Sequence, residues 1–275
     1  MRLILTSSLI LLLKLNSFAQ FETICFPSDL NIQPFTAHFL EPKVGFQYLF
    51  DIDKIRIDIG TSHDIVQWQM KENNFSIGAD FFTYTRARSE NNFKFPVVMV
   101  DYLFGLNGGY KNKTEQYEWG TRLRFSHISA HLVDGYYDSE SESWMDGREP
   151  FVYSKEFFEL LAYYKIYNIR VYGGITYNIH IVPKEIKNEI FQTGFDYFSE
   201  QLQTSLFIPF IAYDFKLTGI NEYSGNNIIS AGIKFGSPES RGFSILASYF
   251  SGKSVHGEFY NVSESYATIG INLDI

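Results

Sequence analysis

A single cysteine, Cys25, stands among the 275 residues of this chain, so no internal disulfide can staple the fold. Long hydrophobic runs are also missing. After the leader at residues 1–19, no segment approaches the roughly 18 uninterrupted apolar residues that a helical membrane span requires. Positive charge is in the minority, with 23 Lys and Arg against 31 Asp and Glu and a formal charge of -8. Nucleic acid is therefore not an expected partner, because phosphate binding wants a basic face. What has to be explained is an aromatic content of 18%, with 19 Tyr and 27 Phe, in a chain without spanning helices.

The first residues read as an export signal. Met1-Arg2 is followed by the apolar run Leu3 to Leu13, then Lys14 to Asn16, then Ser17-Phe18-Ala19. A charged start, a short apolar stretch and a small residue at the cut predict a signal peptide over residues 1–19, and Lys14 interrupts the run too early for it to span a bilayer. Cleavage removes Arg2 and Lys14 and moves the formal charge from -8 to -10 (-8 minus 2). Residues 20–43 contain Pro27, Pro34 and Pro42 and hold no period. They are expected to form an irregular periplasmic lead-in that plugs or caps the periplasmic mouth of the domain after it.

From residue 44 to residue 275 the dominant pattern is period-two alternation. In Gln116 to Ser126 one face carries Tyr117, Trp119, Thr121, Leu123 and Phe125, and the other carries Glu118, Gly120, Arg122, Arg124 and Ser126. Two arginines and a glutamate turned into the core of a soluble sheet would demand full pairing, whereas in the water-lined interior of a barrel they demand little. A sandwich or lipocalin-like barrel wants its inner face apolar, and here charges sit opposite the apolar face in segment after segment. The expected fold is all-β: a transmembrane antiparallel β-barrel of about 12 strands, with 10 as the alternative count, since residues 61–74 are hard to place. Both ends then lie in the periplasm and the long 128–153 connection lies outside. Two features fit less well: residues 107–115 are long for a periplasmic turn, and Pro209 inside a strand predicts a bulge.

The interior of such a barrel collects Arg122, Arg124, Arg170, Glu118 and Asp196, with Asp80, Asp101 and Glu159 near them. These side chains are expected to pair and largely occlude the lumen. Ile169 to His180 alternates almost without error and assigns His180 to the same inward face as Arg170 and Asn178.

Candidate chemistry is confined to His127-Ile128-Ser129-Ala130-His131-Leu132-Val133-Asp134. By parity His127, Ser129 and His131 continue the lipid-facing side. A serine, an imidazole base and an orienting carboxylate are what nucleophilic acyl transfer needs, and Asp134 is the carboxylate at hand. His-x-Ser on the outer face of a barrel strand resembles the site of the outer-membrane lipid A 3-O-deacylases, although their next residue is Asn and here it is Ala130. The alternative is an interfacial hydrogen-bond cluster that anchors the long loop. No third ligand joins His127 and His131 at a metal-binding spacing, so neither metal nor cofactor is expected. Asp138, Glu140, Glu142, Asp146 and Glu149 read as a solvated acidic loop.

Four segments in order, PFTAHFLEPKVGF, RLRFSHISAHLVDGYYD, REPFVYSKEFFELLAYY and IRVYGGITYNIH, resemble the bacterial family catalogued as domain of unknown function 1207. That family's cluster reads His-x-Ser-Ser-His-x-x-Asp-Glu. This chain matches it at His127, Ser129, His131 and Asp134 and departs at Ala130 and Gly135. The resemblance implies an outer-membrane protein and transfers no activity to it. The expected roles are structural, adhesive or small-solute related, with an outer-leaflet lipid hydrolase as the alternative. The expected partners are outer-membrane lipid and lipopolysaccharide. A further partner is the barrel-assembly machinery, reached through the final strand, where Ile275 takes the place of the usual aromatic residue.

Overall fold

Alternation puts a different chemistry on each face of a strand, and the structure turns that difference into an inside and an outside. It is a computed structural model that describes residues 21–52 and 54–274. The expected signal peptide and Ile275 lie outside the described residues. The strands are β1 (Glu22–Cys25), β2 (Val44–Leu49), β3 (Lys54–Met70), β4 (Asn73–Arg88), β5 (Val97–Lys113), β6 (Tyr117–Leu132), β7 (Tyr137–Asp138), β8 (Ser143–Trp144), β9 (Tyr153–Ile166), β10 (Ile169–Val182), β11 (Glu189–Phe198), β12 (Phe207–Ile220), β13 (Glu222–Phe235), β14 (Gly242–Lys253) and β15 (Ser263–Asp274). Leaving aside β1 and the small hairpin β7–β8, twelve of them pair antiparallel with their neighbours, and β15 closes on β2 from Leu273↔Val44 to Thr268↔Leu49. Closure gives each of these twelve strands a hydrogen-bonded neighbour on both sides.

Burial separates the two faces of β6. Leu123 is 49% and Phe125 41% exposed, while Arg122 and Arg124 between and beside them are 5% and 0% exposed. Ile175, Ile229, Ile245, Ile269 and Ile271 repeat this outward band on other strands. Such an outer surface is unfavourable in water and stable against lipid tails. No described helix is long and apolar enough to cross a membrane.

Several sequence expectations are revised. Residues 61–70 belong to β3, 71–72 form a tight turn and 73–74 open β4; their period was hidden by a bulge between Asp64 and Val66 that shifts the register. Residues 107–113 continue β5, so the turn after it is short and is closed by Thr114 N–H donating to the Tyr117 carbonyl at 2.9 Å. Pro209 makes no bulge. Its pairing with Ile233 is in register, the β11–β12 ladder has already ended at Phe198↔Phe210, and the Pro209 carbonyl accepts from Ser199 N–H at 2.8 Å. The missing proline N–H thus falls where no ladder bond is needed. The lead-in is not wholly irregular either, because β1 adds to β3 from Glu22↔Gln69 to Cys25↔Val66.

Two segments enter the lumen. From the rim where β2 begins and β15 ends, the near rim, residues 31–43 thread inward. Phe35 packs on Tyr163 and Tyr172 with the Arg122 and Arg170 guanidinium groups over its ring, and Phe39 packs against Phe82 and Tyr84. From the opposite, far rim, the connection 254–262 folds in. Asp101 holds it by accepting from His256 Nδ1 at 2.7 Å and Gly257 N–H at 2.8 Å. Only glycine fits at 257, since a Cβ would stand 2.3 Å from Tyr153 and 2.6 Å from Ala130. A cavity of about 350 Å³ is left at the near rim, beside the threaded segment.

Candidate functional site

The outer-face cluster is built where β6, β9 and β10 run side by side at the far rim. Cross-strand pairing sets His127 opposite Glu156 and Ser129 opposite Ser154. His127 and Ser129 are half-buried and lie on the same outward face as Phe125. His127 Nδ1 donates to Glu156 Oε1 at 2.6 Å. A carboxylate can only accept, so Nδ1 carries the hydrogen and Nε2 is left as the basic nitrogen. Ser129 makes no side-chain hydrogen bond among the described residues. Ser154 Oγ reaches the same Glu156 oxygen at 3.5 Å.

Glu156 has a second partner. His180 Nδ1 donates to its other oxygen, Oε2, at 2.6 Å. The inward assignment of His180 is therefore corrected. A bulge between Asn178 and His180 shifts the β9–β10 register, so Asn178 stays buried opposite Phe157 while His180 turns outward opposite Glu156. Bulges commonly re-aim one side chain in this way.

The remaining candidates lie elsewhere. His131 is exposed and packs its ring against Tyr102, with centroids 6.0 Å apart. Asp134 accepts from the adjacent Gly135 N–H at 3.0 Å in the turn after β6, which leaves Glu156 in the position against the imidazole that Asp134 was expected to hold. Glu156 was legible only as a carboxylate on the apolar parity of Phe158, Leu160 and Tyr164, and its partner strand lies across a long loop. The acidic loop folds into β7–β8, with Asp138 accepting from Ser141 Oγ at 2.8 Å and Glu140 N–H at 3.0 Å. Among the described residues no group of three or more His, Cys, Asp or Glu is arranged to hold a metal ion.

Inside the barrel the expected polar residues divide into separate groups. Arg122 and Arg124 both reach Glu41 of the threaded segment; the Arg122 Nη1–Glu41 Oε2 bond is 2.9 Å. Arg124 also pairs with Glu159 at 3.3 Å and lies 2.8 Å from Asp80, an ion pair without hydrogen-bond alignment. Burial alone would raise the Glu41 carboxyl, but Arg122 and Arg124 hold it well below the usual carboxylate range. His38 bridges Glu41 at 2.9 Å and Lys216 at 2.7 Å. Its burial, followed by the Lys216 charge, pushes the imidazole down from its ordinary value. Arg170 pairs with Asp196 and donates to the Gln33 and Pro34 carbonyls at 2.9 and 2.6 Å. Glu118 accepts from Tyr163 Oη at 2.8 Å. Sequence reading missed Glu41 and His38, because an aperiodic segment gives no sign of which residues will meet the lumen; Lys216 lies on the polar parity of β12, but its partner His38 was not legible.

No curated protein matches the sequence. The fold is similar to that of outer membrane phospholipase A from Escherichia coli, with a TM-score of 0.56 at 11% identity over 89% of this chain and 94% of that one. It is equally similar to the calcium-bound dimer of outer membrane phospholipase from Salmonella typhi, with a TM-score of 0.56 at 12% identity over the same shares. At such identities the likeness is one of fold. The model of the family described as Protein of unknown function (DUF1207) matches residues 54–274, all the barrel strands after the first, and the chain belongs to that family.

Proposed function

We propose that this barrel sits in the outer membrane with its far rim outside and acts as an acyl-ester hydrolase on lipids of the outer leaflet, with Ser129 as nucleophile, His127 as base and Glu156 as the orienting acid. The observation that carries this reading is the contact between His127 Nδ1 and Glu156, beside a serine two residues further along the same outward face. Ser129 Oγ attacks the ester carbonyl and passes its proton to His127 Nε2. That proton then leaves with the alcohol, and water activated by the same nitrogen releases the acid. Glu156 keeps the imidazole in the required tautomer and stabilises it when charged. Because these groups face outward while the lumen is filled from both ends, the substrate comes from the surrounding lipid. The similarity to a barrel that is a phospholipase supports the idea that this architecture suits such chemistry.

A structural role for the cluster, anchoring the long loop at the interface, is favoured by the lack of a hydrogen bond from Ser129. Catalytic bonds are often loose in a free enzyme and tighten on substrate, and incubation with lipid separates the two readings. Purified protein mixed with phospholipid vesicles or lipopolysaccharide is expected to release fatty acid, and the Ser129→Ala variant is not. Absence of release from both substrates by the native protein would leave the anchoring role.

A further inference from the structure

We infer that His180 is a positioning residue, delivered to the outer face by the β10 bulge so that it holds Glu156, and through it His127, in the reactive orientation. A glutamate's terminal torsion is broad, so one contact at Oε1 leaves the carboxylate free to turn about its last bond. A second donor on Oε2 fixes its plane. Glu156 has one histidine on each oxygen, both at 2.6 Å, from the strands on either side of it. His180 is itself 60% exposed, so it is not held there by burial.

The bulge is the feature that makes this arrangement. From Ile169↔Ile166 to Asn178↔Phe157 the β9–β10 ladder runs without a slip, and continuation would aim His180 inward with Asn178. The register shift comes immediately before His180 and places it opposite Glu156. A bulge interrupts the ladder and increases local twist, and bulges concentrate beside functional sites, where they re-aim a residue. A misplacement of about 1 Å in a catalytic group costs up to about 100-fold in rate. The kinetic arm of this inference rests on the hydrolase reading, but its structural arm does not.

The test is nitrogen-15 NMR of histidine-labelled protein in detergent micelles, paired with fatty-acid release. In the native protein the His127 signals are expected to report a hydrogen on Nδ1. His180→Leu, which suits a lipid-facing position, is expected to mix the His127 tautomers and to lower kcat by up to about 100-fold at nearly unchanged KM. His180→Asn keeps a donor near the Nδ1 position and is expected to restore both. Unchanged His127 signals in a folded His180→Leu barrel would overturn the inference. Tautomer mixing in His180→Leu alongside no lipid hydrolysis by the native protein would uphold the positioning role and reject the hydrolase.

Discussion

At the scale of single residues, two sites on β6 show how parity divides labour on one strand. Arg122 and Arg124 face in and are buried among carboxylates, while His127 and Ser129, of the opposite parity, face out. Removing one member of a buried ion network leaves its partners charged and unpaired, which costs about 3–5 kcal/mol. Arg124→Ala is expected to destabilise the barrel by that amount, measured by urea unfolding in lipid, because Glu41, Glu159 and Asp80 all lose a partner. On the outer face Glu156→Gln keeps the size of the side chain and removes its charge. It is expected to lower fatty-acid release by about 10³- to 10⁴-fold through loss of the correct His127 tautomer, with heat-modifiable migration on gels unchanged. The serine and the histidine were legible in the sequence as a His-x-Ser pair. Glu156 was not, because its place beside His127 is set by pairing across the long loop between β6 and β9.

At the scale of elements, period two made the faces legible wherever the ladder is regular, and failed where it slips. The bulges at Asp64/Val66 and Asn178/His180 each flip the parity of the residues beyond them, which hid part of β3 and misassigned His180. The threaded segment 31–43 has no period at all, yet its His38 and Glu41 complete the lumen network. Both titrate in the same sense. His38 is depressed in the folded protein, so below its ordinary value of 6.5 the released segment binds a proton that the docked one resists. Glu41 is depressed too, so its stabilisation is full above its ordinary value of 4.5 and is lost as the pH falls through the folded value. The groups facing His38 are Lys216, Glu159 and Glu41. Amide protection of residues 31–41 is therefore expected to weaken as the pH drops below about 6.5, and to weaken further below about 4.5, as followed by hydrogen exchange. At the far rim, Asp101→Asn weakens the acceptor for His256 and Gly257 and is expected to expose the 254–262 connection to limited proteolysis without unfolding the barrel.

At the scale of the whole molecule, an apolar outer band around a polar interior is a surface suited to lipid. The protein is expected to need detergent for monodispersity and to give no stable conductance steps in planar bilayers. A monodisperse sample without detergent would contradict the membrane reading. The central claim is that the outward-facing Ser129 is an activated nucleophile, and covalent trapping tests it most directly. After exposure to a long-chain alkyl fluorophosphonate in detergent micelles, peptide mass spectrometry of the native protein should find one adduct, on Ser129, and the His127→Asn variant should lose it. An unmodified Ser129 in the native protein, or labelling that persists without His127, would contradict the account.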